Sequence, residues 1–135
     1  MSLAIFAGER IDRDPVSHDT RVWLRRSKSA IKAGYLIEGA ALLQMGIRVF
    51  LEADLTYWHV RPKNRSLVEM SKAIWLSGNA TRDSYAILLE VIAYTSGVIR
   101  CEPKGDDVEA HLLNQILIMH SFCNGTVYLN EGSQS

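Results

Sequence analysis

The segment from Tyr35 to about Tyr57 constrains the fold more than any other part of the chain. Leu36, Ala40, Leu43, Ile47 and Phe50 recur at the helical period, and a second set, Leu42, Met45, Val49 and Ala53, widens the apolar arc beyond a single stripe. Glu38, Gln44, Arg48 and Glu52 interrupt it. A helix this apolar belongs at the centre of a bundle or at a subunit interface, because too little of its surface suits water. Leu36, Leu43, Ile47 and Phe50 are therefore the candidate interface residues. Gly39 and Gly46 cost helix propensity but permit the close approach of another helix.

Other helices are marked by their ends. Asp14-Pro15 is a capping residue followed by proline at a first helical position, and Val16, Trp23, Leu24, Ser27, Ala30 and Ile31 then share one face up to Gly34. Val60-Arg-Pro-Lys-Asn64 reads as a loop. Ser66-Leu-Val-Glu69 reads as a capping box ahead of Leu67, Met70 and Ile74, with Gly78-Asn79 as the stop. Thr81 or Asp83 opens a fourth segment bearing Tyr85, Leu88, Leu89 and Ile92. Its end, Tyr94 to Cys101, either stays helical or bends at Gly97. Asp106 or Asp107 caps a last helix with Val108, Leu112, Ile116, Met119 and Cys123 on one face, closed by Asn124-Gly125. Residues 126–135 are expected to form a flexible tail. The expectation is an all-α fold: a single domain, residues 1–135, built as an antiparallel, up-and-down bundle of four to five helices over about residues 15–124.

A chain of 135 residues with 47 % hydrophobic content has enough apolar material for one core. Its formal net charge of zero removes any global pull toward nucleic acid or anionic membrane. The charge is unevenly spread, however: residues 1–34 hold seven Lys/Arg against four Asp/Glu, and residues 101–135 hold one against five. Leu3 to Ala7 is too short and lacks the basic leader of a signal peptide, and no run reaches bilayer length. Cys101 and Cys123 fall on predicted helices without metal-ligand spacing and read as buried thiols. A cytoplasmic location follows as the expectation.

The most specific functional cue is a basic stripe. Arg21, Arg25, Lys28 and Lys32 follow one another at spacings of four, three and four, with no acid between Thr20 and Gly34. They are the candidate nucleic-acid-binding residues, since cations on one helix face can follow a phosphate backbone. The competing reading is a solvated face paired with acids of a neighbouring helix. His18, His59, His111 and His120 form no zinc-binding pair, and Asp106, Asp107 and Glu109 suit a helix N-terminus better than a metal. The sequence gives no reason to expect a metal or another cofactor. Tyr57, Trp58 and His59 either cover one end of the bundle or line a small-molecule pocket.

Several stretches together resemble the HEPN family of helical bundles. They are Trp23-Leu24, Ala33-Gly34, Glu38-Gly-Ala-Ala-Leu-Leu-Gln44, Ile47-Arg-Val-Phe-Leu-Glu52, Pro62-Lys63 with Ser66-Leu67, and Tyr94 to Arg100 before an acidic turn and a final amphipathic helix. The resemblance spans roughly residues 20–123 and rests on pattern and helix order. It implies a bundle of four or five helices, often homodimeric. It also implies either an endoribonuclease with Arg and His four to six residues apart, or a non-catalytic companion of a nucleotidyltransferase. In the nuclease, His moves a proton and Arg neutralises phosphate. Here the matching region reads Thr95-Ser-Gly-Val-Ile-Arg100, with arginine where histidine belongs, and His111 lies beyond the spacing. Arg13-Asp-Pro-Val-Ser-His18 has the spacing but stands at the other end of the chain. The expectation is therefore a non-catalytic, homodimeric association module. RNA binding or cleavage, or a small ligand held between helices, are the alternatives.

Overall fold

A computed structural model describes residues 14–103 and 105–124, with side chains from residue 19 onward; the expected C-terminal tail, Leu3 to Ala7 and Arg13 lie outside this range. Five helices follow one another: α1 (Asp14–Lys32), α2 (Leu36–Trp58), α3 (Leu67–Leu76), α4 (Arg82–Ile99) and α5 (Val108–Asn124). There is no strand among the described residues, and the fold is an all-α bundle.

The helix ends are chemically determined. Ser66 caps α3, its hydroxyl accepting from the Glu69 amide at 3.1 Å, and Thr81 caps α4 by accepting from the Ser84 amide at 3.0 Å. At the far end of α3, Gly78 takes a φ of +83°, a left-handed turn that suits glycine, and Asn79 N–H donates back to Ile74 C=O. Gly34 at φ +94° turns the chain from α1 into α2 in the same way. The α4 helix does not bend at Gly97. Thr95, Gly97 and Val98 are all buried there, so packing holds the helix through its β-branched end.

Packing explains the apolarity of α2. It packs substantially on each of the other four, and α1 lies along it most intimately. A Cβ on Gly39 would collide with the Ile31 side chain, and one on Gly46 would press on Leu24 and Trp23 at 3.3 Å. The two glycines are what bring α1 and α2 so close. Leu43, Ile47 and Phe50 are between 0 and 1 % exposed, and together with Leu24, Ile31, Met70, Leu88, Met119 and Phe122 they form the core. Gln44 ties α2 to α4, its amide donating to Thr95 Oγ1 at 2.8 Å and Ser96 Oγ at 2.9 Å.

The long helices alternate in direction. Arg21 near the start of α1 donates to Asn124 Oδ1 at the end of α5, while Lys32 at the end of α1 shares a groove with Leu113 near the start of α5. Tyr94 near the end of α4 stacks on His111 at the beginning of α5. The α4 and α5 backbones nevertheless make at most marginal contact, since each leans on α2.

Candidate functional site

The four cations of the stripe stand together on the face that α1 turns toward α5. Arg25, Lys28 and Lys32 are exposed and Arg21 is half-buried. No described carboxylate pairs with any of them. Arg21 bonds the neutral carboxamide of Asn124 at 2.6 Å. The other cation in this stretch, Arg26, faces elsewhere, with its guanidinium 5.2 Å above the Trp23 ring. By contrast Arg100 is paired, with Glu102 at 2.8 Å on the surface.

His120 of α5 joins this face. It lines a groove of about 240 Å³ with Lys28, Lys32, Leu113, Ile116 and Leu117. Burial, and then the positive charges of Arg21, Lys28 and Arg25, hold its imidazole below the ordinary histidine pKa. The sequence shows only that His120 forms no zinc-binding pair. Its membership of the basic face could be found only once α5 was laid antiparallel to α1. Leu117, 63 % exposed, leaves an apolar rim beside the charges.

The candidate interface residues occupy other positions. Leu43, Ile47 and Phe50 point into the chain's own core, and Leu36 is half-buried against it. The outward stripe of α2 is instead Ile37, Ala41 and Met45, with Ile37 48 % and Met45 40 % exposed. Asp54, which the sequence reading passed over, is fully buried on α2. Trp58 packs on the core with Tyr57 edge-on to it at 4.7 Å, so this aromatic pair covers the end of the bundle, and His59 turns away in a left-handed conformation.

One expectation needs correction. Cys101 is neither helical nor buried: it follows α4 at φ +62° and is exposed, because the chain must reverse there toward α5. Cys123 is buried, and the two form no disulfide. His111, which lies beyond the Arg–His spacing and forms no zinc-binding pair, stacks on Tyr94 with ring centroids 4.1 Å apart. Burial, with the negative charge of Asp107 nearby, raises the Tyr94 pKa above its ordinary value. Behind this pair the space between α4 and α5 opens into a groove of about 550 Å³. That groove was not visible in the sequence.

Arg13 and the side chain of His18 lie outside the described residues. Among the described residues no three His, Cys, Asp or Glu side chains converge as metal ligands, and no helix is long and apolar enough to cross a membrane. No protein-family model matches this chain, and no curated protein or solved structure is significantly similar to it.

Proposed function

We propose that this chain is a non-catalytic, HEPN-like helical module that binds the phosphate backbone of RNA on the α1–α5 face, in the cytoplasm. One observation carries the reading: Arg21, Arg25, Lys28 and Lys32 share a face in which no described acid neutralises them. The expectation that neighbouring carboxylates satisfy this stripe is what would have made it an ordinary solvated surface. From Arg21 to Lys32 the cations cover roughly 16 Å of helix axis at the α-helical rise, enough for several successive phosphates. The exposed Leu117 beside them offers an apolar surface for a base. RNA is favoured over duplex DNA by the family resemblance alone.

Fluorescence anisotropy of a labelled single-stranded RNA, at low and at physiological salt, tests this. Binding at low salt that is lost in Arg25→Ala/Lys28→Ala supports it. Equal binding by that variant, or none by the wild type, sinks it.

A homodimer is the second reading, and its support has moved. The core accounts for Leu43, Ile47 and Phe50, so the overall apolarity of α2 no longer calls for a partner. The exposed Ile37–Met45 stripe is what favours self-association. Light scattering on the wild type and Ile37→Glu decides it, since a monomeric wild type ends this reading.

A further inference from the structure

On the α4 side of α5, Gln115 is 4 % exposed, and its carboxamide oxygen is buried without a hydrogen-bond partner. Native proteins rarely leave a buried acceptor so, and such a group is either strained or completed by an ordered water or a ligand. Gln115 lines the groove of about 550 Å³ between α4 and α5, a volume within the range of about 300–1,000 Å³ usual for small-molecule sites. The walls are of two kinds. Ile87, Val91 and Ile118 supply aliphatic surface, and the stacked Tyr94–His111 pair closes one end with aromatic surface. No lysine or arginine lines the groove among the described residues, and its charged group is the exposed Glu90. An anion is therefore a poor occupant, and a neutral or cationic one is favoured.

We propose that this groove binds a planar, amino-bearing nitrogen heterocycle of purine-base size, and that a turn of the Gln115 carboxamide, whose oxygen is closed off from solvent in the unliganded chain, brings Oε1 to the amino N–H of that ligand. The aliphatic walls and the aromatic end suit an apolar, planar body. The buried acceptor selects an amino donor. A carboxamide carries a donor beside its acceptor, so a ring with an amino group next to a ring nitrogen meets both, as glutamine meets adenine in nucleic-acid recognition. The groove lies on the opposite side of α5 from the basic face, whose residues on this helix are Leu113, Ile116, Leu117 and His120. The two sites are independent, and failure of one leaves the other standing.

The test is an amide-resolved NMR titration of the full chain with adenine and, separately, with purine, which has the same ring but no amino group. Adenine is expected to shift the His111 and Gln115 signals saturably. Gln115→Leu should weaken it about tenfold, the value of one hydrogen bond to a buried acceptor, and purine should bind the wild type as weakly. Asn114→Trp, which adds an indole at an exposed position on the groove, should abolish binding with the melting temperature unchanged. Absence of saturable shifts with adenine at millimolar concentration overturns the proposal. So does equal adenine affinity in Gln115→Leu, equal affinity for purine, or binding that survives in Asn114→Trp.

Discussion

The Ser27 hydroxyl donates to the Gly39 carbonyl at 2.7 Å, crossing from α1 to the backbone of α2 in a fully buried position. This bond exists because Gly39 has no side chain: Ile31 occupies the place where its Cβ would be. The two glycines of α2 are consequently unequal. Gly39→Ala would drive a methyl into the branched part of Ile31, near its backbone, and is expected to cost about 1–3 kcal/mol in urea denaturation as an overpacked core. Gly46→Ala meets its neighbours at 3.3 Å, and the helix-propensity gain of about 1 kcal/mol offsets much of that crowding. Equal effects of the two substitutions would contradict this account of the α1–α2 contact.

RNA affinity should depend steeply on salt. If all four stripe cations each neutralise one phosphate, the slope for a single strand is about −0.7 per contact, or roughly −3 in total. Raising salt fourfold should then weaken binding about 50-fold. Arg25→Ala/Lys28→Ala should roughly halve the slope as well as lowering the affinity. A slope near zero would mean that the bases, and not the backbone, are being held.

His120 links the same face to pH. Its pKa is lowered in the folded chain, so the unfolded chain binds the proton more readily. Stability should therefore be full above the unfolded histidine pKa of about 6.5, and should fall as pH drops from there toward the lowered folded value. RNA binding should move the other way, because a protonated imidazole adds a fifth positive charge to Arg21, Arg25, Lys28 and Lys32. His120→Gln should flatten both dependences between about pH 7 and 5, measured by thermal melts and by anisotropy. An unchanged pH profile in this variant would remove His120 from the site.

Ile47→Glu should unfold the chain and should not release a folded monomer. Ile47 is 0 % exposed at the centre of the core, and a lone buried carboxylate costs about 4 kcal/mol or more. Circular dichroism at low temperature gives the answer directly. A fully helical Ile47→Glu chain would contradict the packing described for α2.

The bundle could be read from the sequence because its helix ends are written in local chemistry. Ser66, Thr81 and Gly78 act within a few residues of themselves and take the positions that their capping chemistry implies, although the Ser66 N–H donates to Asn64 Oδ1, where the capping box would have used the Glu69 side chain. Whether α2 was core or interface could not be read in this way. A helix with apolar residues most of the way round suits either, and only contact with all four other helices decides for the core. The basic stripe was legible as a stripe, but its lack of acidic partners depends on which face of α5 turns toward it. The same holds for Gln115. An isolated glutamine in an apolar helix says nothing until the gap between α4 and α5 is known. Cys101 was misplaced because its β-branched neighbours made the helix end ambiguous, and the reversal that exposes it has no strong local marker.

That α5 scarcely touches the backbone of α4, its neighbour in sequence, also bears on how the chain folds. The first four helices can assemble in order, each on one already formed, by closing short loops. The last cannot. Its partners are α1 and α2, so its docking closes a loop through most of the chain and incurs the largest entropic cost. The four cations of the basic stripe all stand on α1 and do not wait for that docking, whereas His120 and Leu117 join them only when α5 is in place. The groove bearing Gln115, walled by α4 and α5 together, depends on the same docking.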